Sequence, residues 1–142
     1  MLDELSRDHV QKVRVHILLD GRDVPARSAM GYVEELEDWL SQINQSSQRD
    51  YKIASGGGRM FITMDRYGAE WDMVERGWQT HVLGEGPRFA SAQDAIASAY
   101  EDPDLIDQYI PPFVIEDGDQ PMGPINDGDS VVLFNFRGDR AI

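Results

Sequence analysis

Residues 13–28 have the pattern of a strand, a polar loop and the start of a helix. Residues 13–19 are almost all β-branched or aliphatic, which is typical of a buried strand in a parallel sheet. The run ends in the turn-forming sequence DGRD at residues 20–23, and an apolar stripe at helical spacing follows a candidate N-cap at Ser28. A strand, a loop and a helix in this order are the unit of α/β proteins. We therefore predict an α/β fold with a mainly parallel sheet flanked by helices.

The remaining elements follow from the same kind of pattern. The apolar stripe of the first long helix comprises Met30, Val33, Leu36, Leu40 and Ile43. Beyond it we predict a surface loop at 44–50, a short strand at 51–55, a helix at 65–82, a second helix that starts at Ser91, an extended edge segment at 109–115 and a buried strand at 130–136. The helix at 65–82 is predicted from the spacing of Trp71, Val74, Trp78 and Val82.

Length and composition limit what the chain can be. Its 142 residues are expected to form one domain, residues 1–142, and they include no cysteine, so disulfides and thiolate chemistry are excluded. No apolar run is long enough to span a bilayer, and a net charge of −13 repels nucleic acids and anionic membranes. We therefore expect a chain without nucleic-acid or membrane partners, and the cytoplasm is its default location.

Arginines stand where predicted strands end. Eleven of the 13 basic residues are arginine, whose fork of donors suits carboxylate and phosphate groups. Arg22 follows the first predicted strand, Arg59 follows the three glycines after the second, Arg66 comes soon after, and Arg137 and Arg140 follow the last. Ligands of α/β sheets bind outside the carboxyl ends of the strands. The pattern predicts a site for a small polyanion such as a phosphorylated carboxylic acid.

A simpler interpretation stays open for these arginines. Each arginine has an aspartate nearby in sequence, so simple ion pairing is the alternative for any one of them; the aspartates are Asp23, Asp65 and Asp139. The three histidines, His9, His16 and His81, lack the spacing of a metal site, and neither Ser55 nor Ser130 has a visible general base. We assign no metal and no nucleophile to this chain.

Several segments resemble the cofactor-independent phosphoglycerate mutases of the alkaline phosphatase superfamily. They are VHILLDGRDVP, SGGGRMFITMDRYGAEWDMVERGW, YIPPFVI and GPINDGDSVVLFNFRGDR, in this order. The resemblance implies a glycolytic isomerase that interconverts 2-phosphoglycerate and 3-phosphoglycerate through a phosphoserine. It also implies that the chain is part of the inserted substrate-binding domain, expected to be incomplete relative to that domain in the parent enzyme.

The resemblance assigns roles to particular residues. It implies substrate binding by Arg22, Asp23, Arg59, Arg66, Arg137 and Arg140, and it gives Asp23 the catalytic task of assisting proton transfer at the attacking hydroxyl. The family's serine nucleophile and its two manganese ions are expected in a phosphatase-like domain that has no match here. We therefore expect the chain to bind no cofactor and, alone, to be inactive. The alternative function is a stand-alone acidic module that binds anions or a basic protein, without catalysis.

Overall fold

The computed structural model describes residues 1–62 and 70–134. Its helices are α1 (Leu2–Arg7), α2 (Ala29–Ser47), α3 (Trp71–Trp78) and α4 (Ala92–Ala99), and its strands are β1 (Lys12–Leu19), β2 (Asp50–Gly58), β3 (Arg88–Phe89), β4 (Phe113–Asp117) and β5 (Gln120–Pro121). A π-helical turn at Gln79–Leu83 continues α3, and a 3₁₀ turn at Asp107–Tyr109 precedes β4. The predicted α/β class is confirmed. None of the described helices is long and apolar enough to cross a membrane.

The sheet is mixed, with the order β1-β2-β4-β3 and with β5 added to β4. The β1–β2 pair is parallel and runs over the full length of β1, whereas β4 is antiparallel to β2 and parallel to β3. Leu19 pairs with Gly58, so β1 and β2 end at the same edge. Because β4 runs the opposite way, the 3₁₀ turn that precedes it arrives at that edge too.

Helix α2 covers one face of the sheet and carries much of the core. The predicted stripe is confirmed, since Val33, Leu40 and Ile43 are at most 6% exposed. The helix extends to Ser47, so the loop predicted at 44–50 starts too early. In the helical conformation the polar side chain of Asn44 is satisfied, because its amide exchanges two hydrogen bonds with the backbone of Tyr51, at 2.8 and 2.9 Å.

The segment at 109–115 was predicted to be an edge element, and this prediction is wrong. Its strand, β4, lies inside the sheet between β2 and β3. Pro111 and Pro112 both precede the first residue of β4, so they remove no hydrogen bond from the sheet.

The apolar stripe predicted for α3 is largely exposed. Trp71 is 69% and Trp78 59% exposed, and the buried positions of α3 are Met73 and Gly77. Spacing alone shows that apolar residues share one helix face. It does not show that another element covers that face.

The buried strand predicted at 130–136 is not found in its described part. Residues 130–134 belong to no strand, and the four apolar side chains from Val131 to Phe134 are 65–83% exposed. An apolar run becomes a buried strand only where another strand and a packing layer receive it, and none within the described ranges does. Residues 135 and 136 of this predicted strand lie outside those ranges.

Candidate functional site

The loops after β1 and β2 meet at the shared edge of the sheet. The Arg59 amide donates to the Leu19 carbonyl at 3.0 Å, and the Arg59 guanidinium donates to an Asp20 carboxylate oxygen at 2.6 Å. The other oxygen of Asp20 accepts the amide of Asp23 at 2.8 Å. One carboxylate therefore holds both the DGRD turn and Arg59.

Charge and burial support this arrangement. Burial alone would raise the pKa of Asp20, but hydrogen bonds from the Asp23 backbone and from Arg59 lower it below its usual value. The Arg59 side chain is only 12% exposed, and in the part of the chain that the structure describes its buried Nε has no hydrogen-bond partner. A buried guanidinium fixed at one nitrogen keeps donors for a ligand.

Three glycines let the chain pass close to its neighbours before Arg59. A Cβ on Gly56 would lie 2.5 Å from the ring of Phe113, and one on Gly58 would lie 2.4 Å from the backbone carbonyl of Gln108. Side chains at these positions would push β2 away from the segment that enters β4. The glycines therefore set the position from which Arg59 extends.

Arg22 and Asp23 lie exposed at the same edge. In residues 1–62 and 70–134 no hydrogen bond or ion pair engages either side chain. Asp23 thus neither pairs with Arg22 nor caps α2, whose first amides donate to Asp107 instead. Arg59 does pair with an aspartate, but with Asp20 rather than with one of the aspartates considered from the sequence.

The other candidate arginines, Arg66, Arg137 and Arg140, lie outside the described residues. Several further arginines serve the fold, because their guanidinium groups donate to backbone carbonyls; they are Arg14, Arg27, Arg76 and Arg88. Sequence reasoning missed Asp20 as the residue that holds Arg59. Its place within the DGRD sequence was the available signal.

Within the two described ranges, no three histidine, aspartate or glutamate side chains come together as a metal-binding group.

The comparisons with known proteins place the whole chain in one family. Residues 1–142 match the family described as BPG-independent PGAM N-terminus. The chain belongs to this family. Its place there agrees with the resemblance carried by the DGRD, GGGR and NFRGDR sequences.

Relatives of this family member are several times longer than it is. The chain is 57% identical over 143 residues to a probable 2,3-bisphosphoglycerate-independent phosphoglycerate mutase of Leptospira interrogans, and 50% identical over 144 residues to the corresponding mutase of Trypanosoma brucei. Each alignment covers 100% of this chain and 26% of the relative. A crystal structure of Leishmania mexicana phosphoglycerate mutase matches 99% of this chain with a TM-score of 0.94 at 49% identity, over 26% of its own length.

This family member also holds a buried polar cluster that the sequence did not predict. Val15 pairs with Ile53 but His16 pairs with Ser55, so a bulge at Ala54 brings Ser55 to the side of the sheet that His16 faces. Ser55 Oγ lies 2.7 Å from Nδ1 of His16 and 2.7 Å from Nδ1 of His81. One hydroxyl donates to one imidazole and accepts from the other, which ties the π-helical turn after α3 to the sheet.

The cluster predicts a loss of stability in mild acid. Burial, together with the charge of His16, lowers the pKa of His81 to about 4, and burial lowers the pKa of His16. An unfolded histidine protonates near pH 6.5, so the unfolded state takes up the proton first as the pH falls. The stabilisation is complete above about pH 6.5 and is lost towards pH 4, by about 2 to 3 kcal/mol for His81.

Urea unfolding at pH 7, 6, 5 and 4.5 measures this loss. In His81→Gln the glutamine still hydrogen-bonds but does not titrate, so the fall between pH 6.5 and 4.5 becomes shallower. The matched control is His9→Gln, which replaces a histidine outside the cluster, and its loss of stability is compared with that of His81→Gln over the same pH range. Equal slopes in wild type and His81→Gln contradict the assignment.

Proposed function

We propose that this chain is the substrate-binding part of a glycolytic phosphoglycerate mutase that interconverts 2-phosphoglycerate and 3-phosphoglycerate through a phosphoserine intermediate. The observation that carries the proposal is the edge where β1 and β2 end, at which Asp20 fixes Arg59 beside the exposed Arg22 and Asp23. The matches to mutases favour this function over an acidic interaction module.

The chemistry of the substrate suits this edge. Each phosphoglycerate carries a carboxylate and a phosphate, and charge-assisted hydrogen bonds from guanidinium groups are the strong way to hold both. Arg59 is pre-organised, because the Asp20 contact fixes one of its nitrogens, whereas Arg22 is exposed and able to reach a ligand. Arg66, Arg137 and Arg140 complete the proposed set from segments outside the described residues.

Asp23 is the proposed acid-base residue. Its carboxylate is exposed at the site, and its backbone amide is held by Asp20 at 2.8 Å, so the side chain starts from a fixed point. A carboxylate in that place accepts the proton of a substrate hydroxyl as this hydroxyl attacks the phosphorus of the phosphoserine, and the bond between that phosphorus and the serine oxygen breaks. The serine nucleophile and two manganese ions are proposed to belong to the phosphatase-like domain of the parent protein, which is the chain's proposed protein partner.

Titration of this chain with 3-phosphoglycerate, followed by NMR or calorimetry, tests the proposal. We expect saturable binding that Arg22→Ala weakens by about one to two decades, the effect of losing a charge-assisted contact of about 1.5 to 3 kcal/mol. The matched control is Arg7→Ala, which removes the same charge from an exposed residue of α1, an element that precedes the amino end of β1. We expect Arg7→Ala to bind like the wild type.

Either of two results counts against the proposal. One is that the wild-type chain does not bind 3-phosphoglycerate at millimolar concentrations. The other is that Arg7→Ala and Arg22→Ala weaken binding equally, because the contact is then a general attraction of charge. Glycerate and inorganic phosphate, each offering one of the two anionic groups, are expected to bind more weakly.

A further inference from the structure

Asp107 is a buried carboxylate at a structurally important place. It is 1% exposed and lies on the 3₁₀ turn before β4. One of its oxygens accepts the backbone amides of Ser28 and Ala29, at 2.7 and 2.9 Å, and thereby caps the first turn of α2. The other oxygen accepts the hydroxyl of Tyr100. No local sequence pattern links Asp107 to the helix that it caps, because 79 positions separate it from Ser28.

The turn that carries Asp107 lies between the two loops of the candidate site. On one side it touches the DGRD turn, since a Cβ on Gly21 would lie 2.8 Å from Cβ of Asp107. On the other side the amide of Met60 donates to the carbonyl of Gln108 at 3.0 Å, and Gly58 packs on the same carbonyl. Any displacement of this turn therefore moves both loops.

Hydrogen bonds from neutral donors surround the Asp107 carboxylate. Across the described ranges Asp107 forms no ion pair, and a buried charge is costly unless hydrogen bonds and dipoles compensate for it. Two amides at the start of a 19-residue helix and one hydroxyl provide that compensation. Burial and the charge of Asp107 raise the pKa of Tyr100 to about 12, so its hydroxyl remains a donor at physiological pH.

Tyr100 is held in turn by Arg27. The guanidinium carbon of Arg27 lies 4.2 Å from the centre of the Tyr100 ring, and its nitrogens donate to the carbonyls of Tyr100 and Leu105, among others. Arg27 lies in the loop 20–28, which begins with the DGRD turn and ends where α2 begins. The carboxylate, the phenol and the guanidinium thus connect the far end of this loop to α4 and to the 3₁₀ turn.

We propose that Asp107 is a positioning residue for phosphoglycerate binding, which acts by fixing the DGRD turn against the loop after β2 that carries Arg59. The inference rests on the proposed function for its ligand, but not for the contact itself. Asp107 does not touch the substrate. It determines where Arg22 and Asp23 stand when the substrate arrives.

Three variants of the full 142-residue chain test this role. Asp107→Asn keeps the shape and can still accept both helix amides, but it loses the charge. Tyr100→Phe removes only the hydroxyl that donates to Asp107. The matched control is Ser91→Ala, because Ser91 caps α4 through the amide of Asp94 at 3.1 Å, so that this variant also loses a helix cap.

Two measurements are made on each variant at a temperature where all are folded. The first is the Kd for 3-phosphoglycerate. The second is hydrogen exchange at the amide of Asp23, which reports on the order of the DGRD turn without any ligand. We expect Asp107→Asn to raise the Kd about tenfold and to speed this exchange about tenfold, Tyr100→Phe to give smaller changes of the same sign, and Ser91→Ala to leave both values within about twofold.

The inference is overturned if Asp107→Asn has the same Kd and the same exchange rate as the wild type. It is also overturned if Asp107→Asn and Ser91→Ala change both values equally, because equal changes indicate general destabilisation. If Asp107→Asn does not fold, Tyr100→Phe decides by the same two measurements. If the wild-type chain does not bind 3-phosphoglycerate, the proposed function fails, and the exchange at Asp23 alone decides whether Asp107 fixes the loop.

Discussion

We expect Gly58→Ala to lower the free energy of unfolding by about 3 kcal/mol or more, because backbone surrounds the place where the new methyl group would lie. The added Cβ would be 2.4 Å from the carbonyl carbon and oxygen of Gln108 and 2.7 Å from the carbonyl oxygen of Asp107. The strand cannot shift easily, since the amide of Gly58 donates to the carbonyl of Ile110 at 2.8 Å. A loss of this size is a large part of the about 5 to 15 kcal/mol that stabilises a typical domain.

Chemical denaturation of the variant and of a matched glycine variant measures this effect. Gly31 lies on α2, and nothing lies within 4 Å of a Cβ built on it. Gly31→Ala is expected to stabilise the chain by about 0.5 to 1 kcal/mol, since alanine favours a helix interior. If Gly58→Ala and Gly31→Ala both unfold at the same denaturant concentration as the wild type, the prediction of a backbone clash at position 58 is wrong.

The elements that sequence predicted correctly depend on local pattern. Residues 13–19 and the stripe of α2 reveal their structure because strand and helix periodicities are visible within about ten residues. The start of the second helix at Ser91 was predicted for the same reason, and in the structure Ser91 caps α4 by accepting the amide of Asp94. Local chemistry also predicted that Arg22 and Arg59 follow strands which end at one edge of the sheet.

Three of the failures depend on contacts distant in sequence. Residues 13–19 and 130–134 have the same apolar pattern, yet β1 pairs with β2 whereas the described part of the second run stays exposed. The cap of α2 comes from Asp107, which no pattern near Ser28 indicates. Ser55 meets His16 only because of the bulge at Ala54, and a bulge leaves no reliable mark in the sequence.

In the proposed full-length mutase we expect Arg137→Ala and Arg140→Ala each to lower kcat/KM by about one to two decades, without lowering the melting temperature. Both residues lie outside the described ranges, so the expectation rests on the NFRGDR sequence and on the chemistry of the ligand. An arginine that holds a substrate anion loses a charge-assisted contact of about 1.5 to 3 kcal/mol when it is truncated. An arginine that only pairs with a nearby carboxylate at the surface contributes about 0 to 1 kcal/mol, too little for such an effect.

The size of the kinetic effect therefore separates the two interpretations that the sequence left open for these arginines. Arg88→Ala is the matched control, because Arg88 is exposed and its guanidinium donates to the backbone carbonyl of Asp119, so that its loss removes the same charge from a residue with a structural contact. Steady-state kinetics with 3-phosphoglycerate should show kcat/KM near the wild-type value for Arg88→Ala and a deep loss for the other two variants. Since the proposed set holds one small ligand, the losses of Arg137 and Arg140 should also fall short of additivity in the double variant. Near-normal kinetics in both single variants would remove these arginines from the substrate site and leave Arg22, Arg59 and Arg66 as its proposed guanidinium groups.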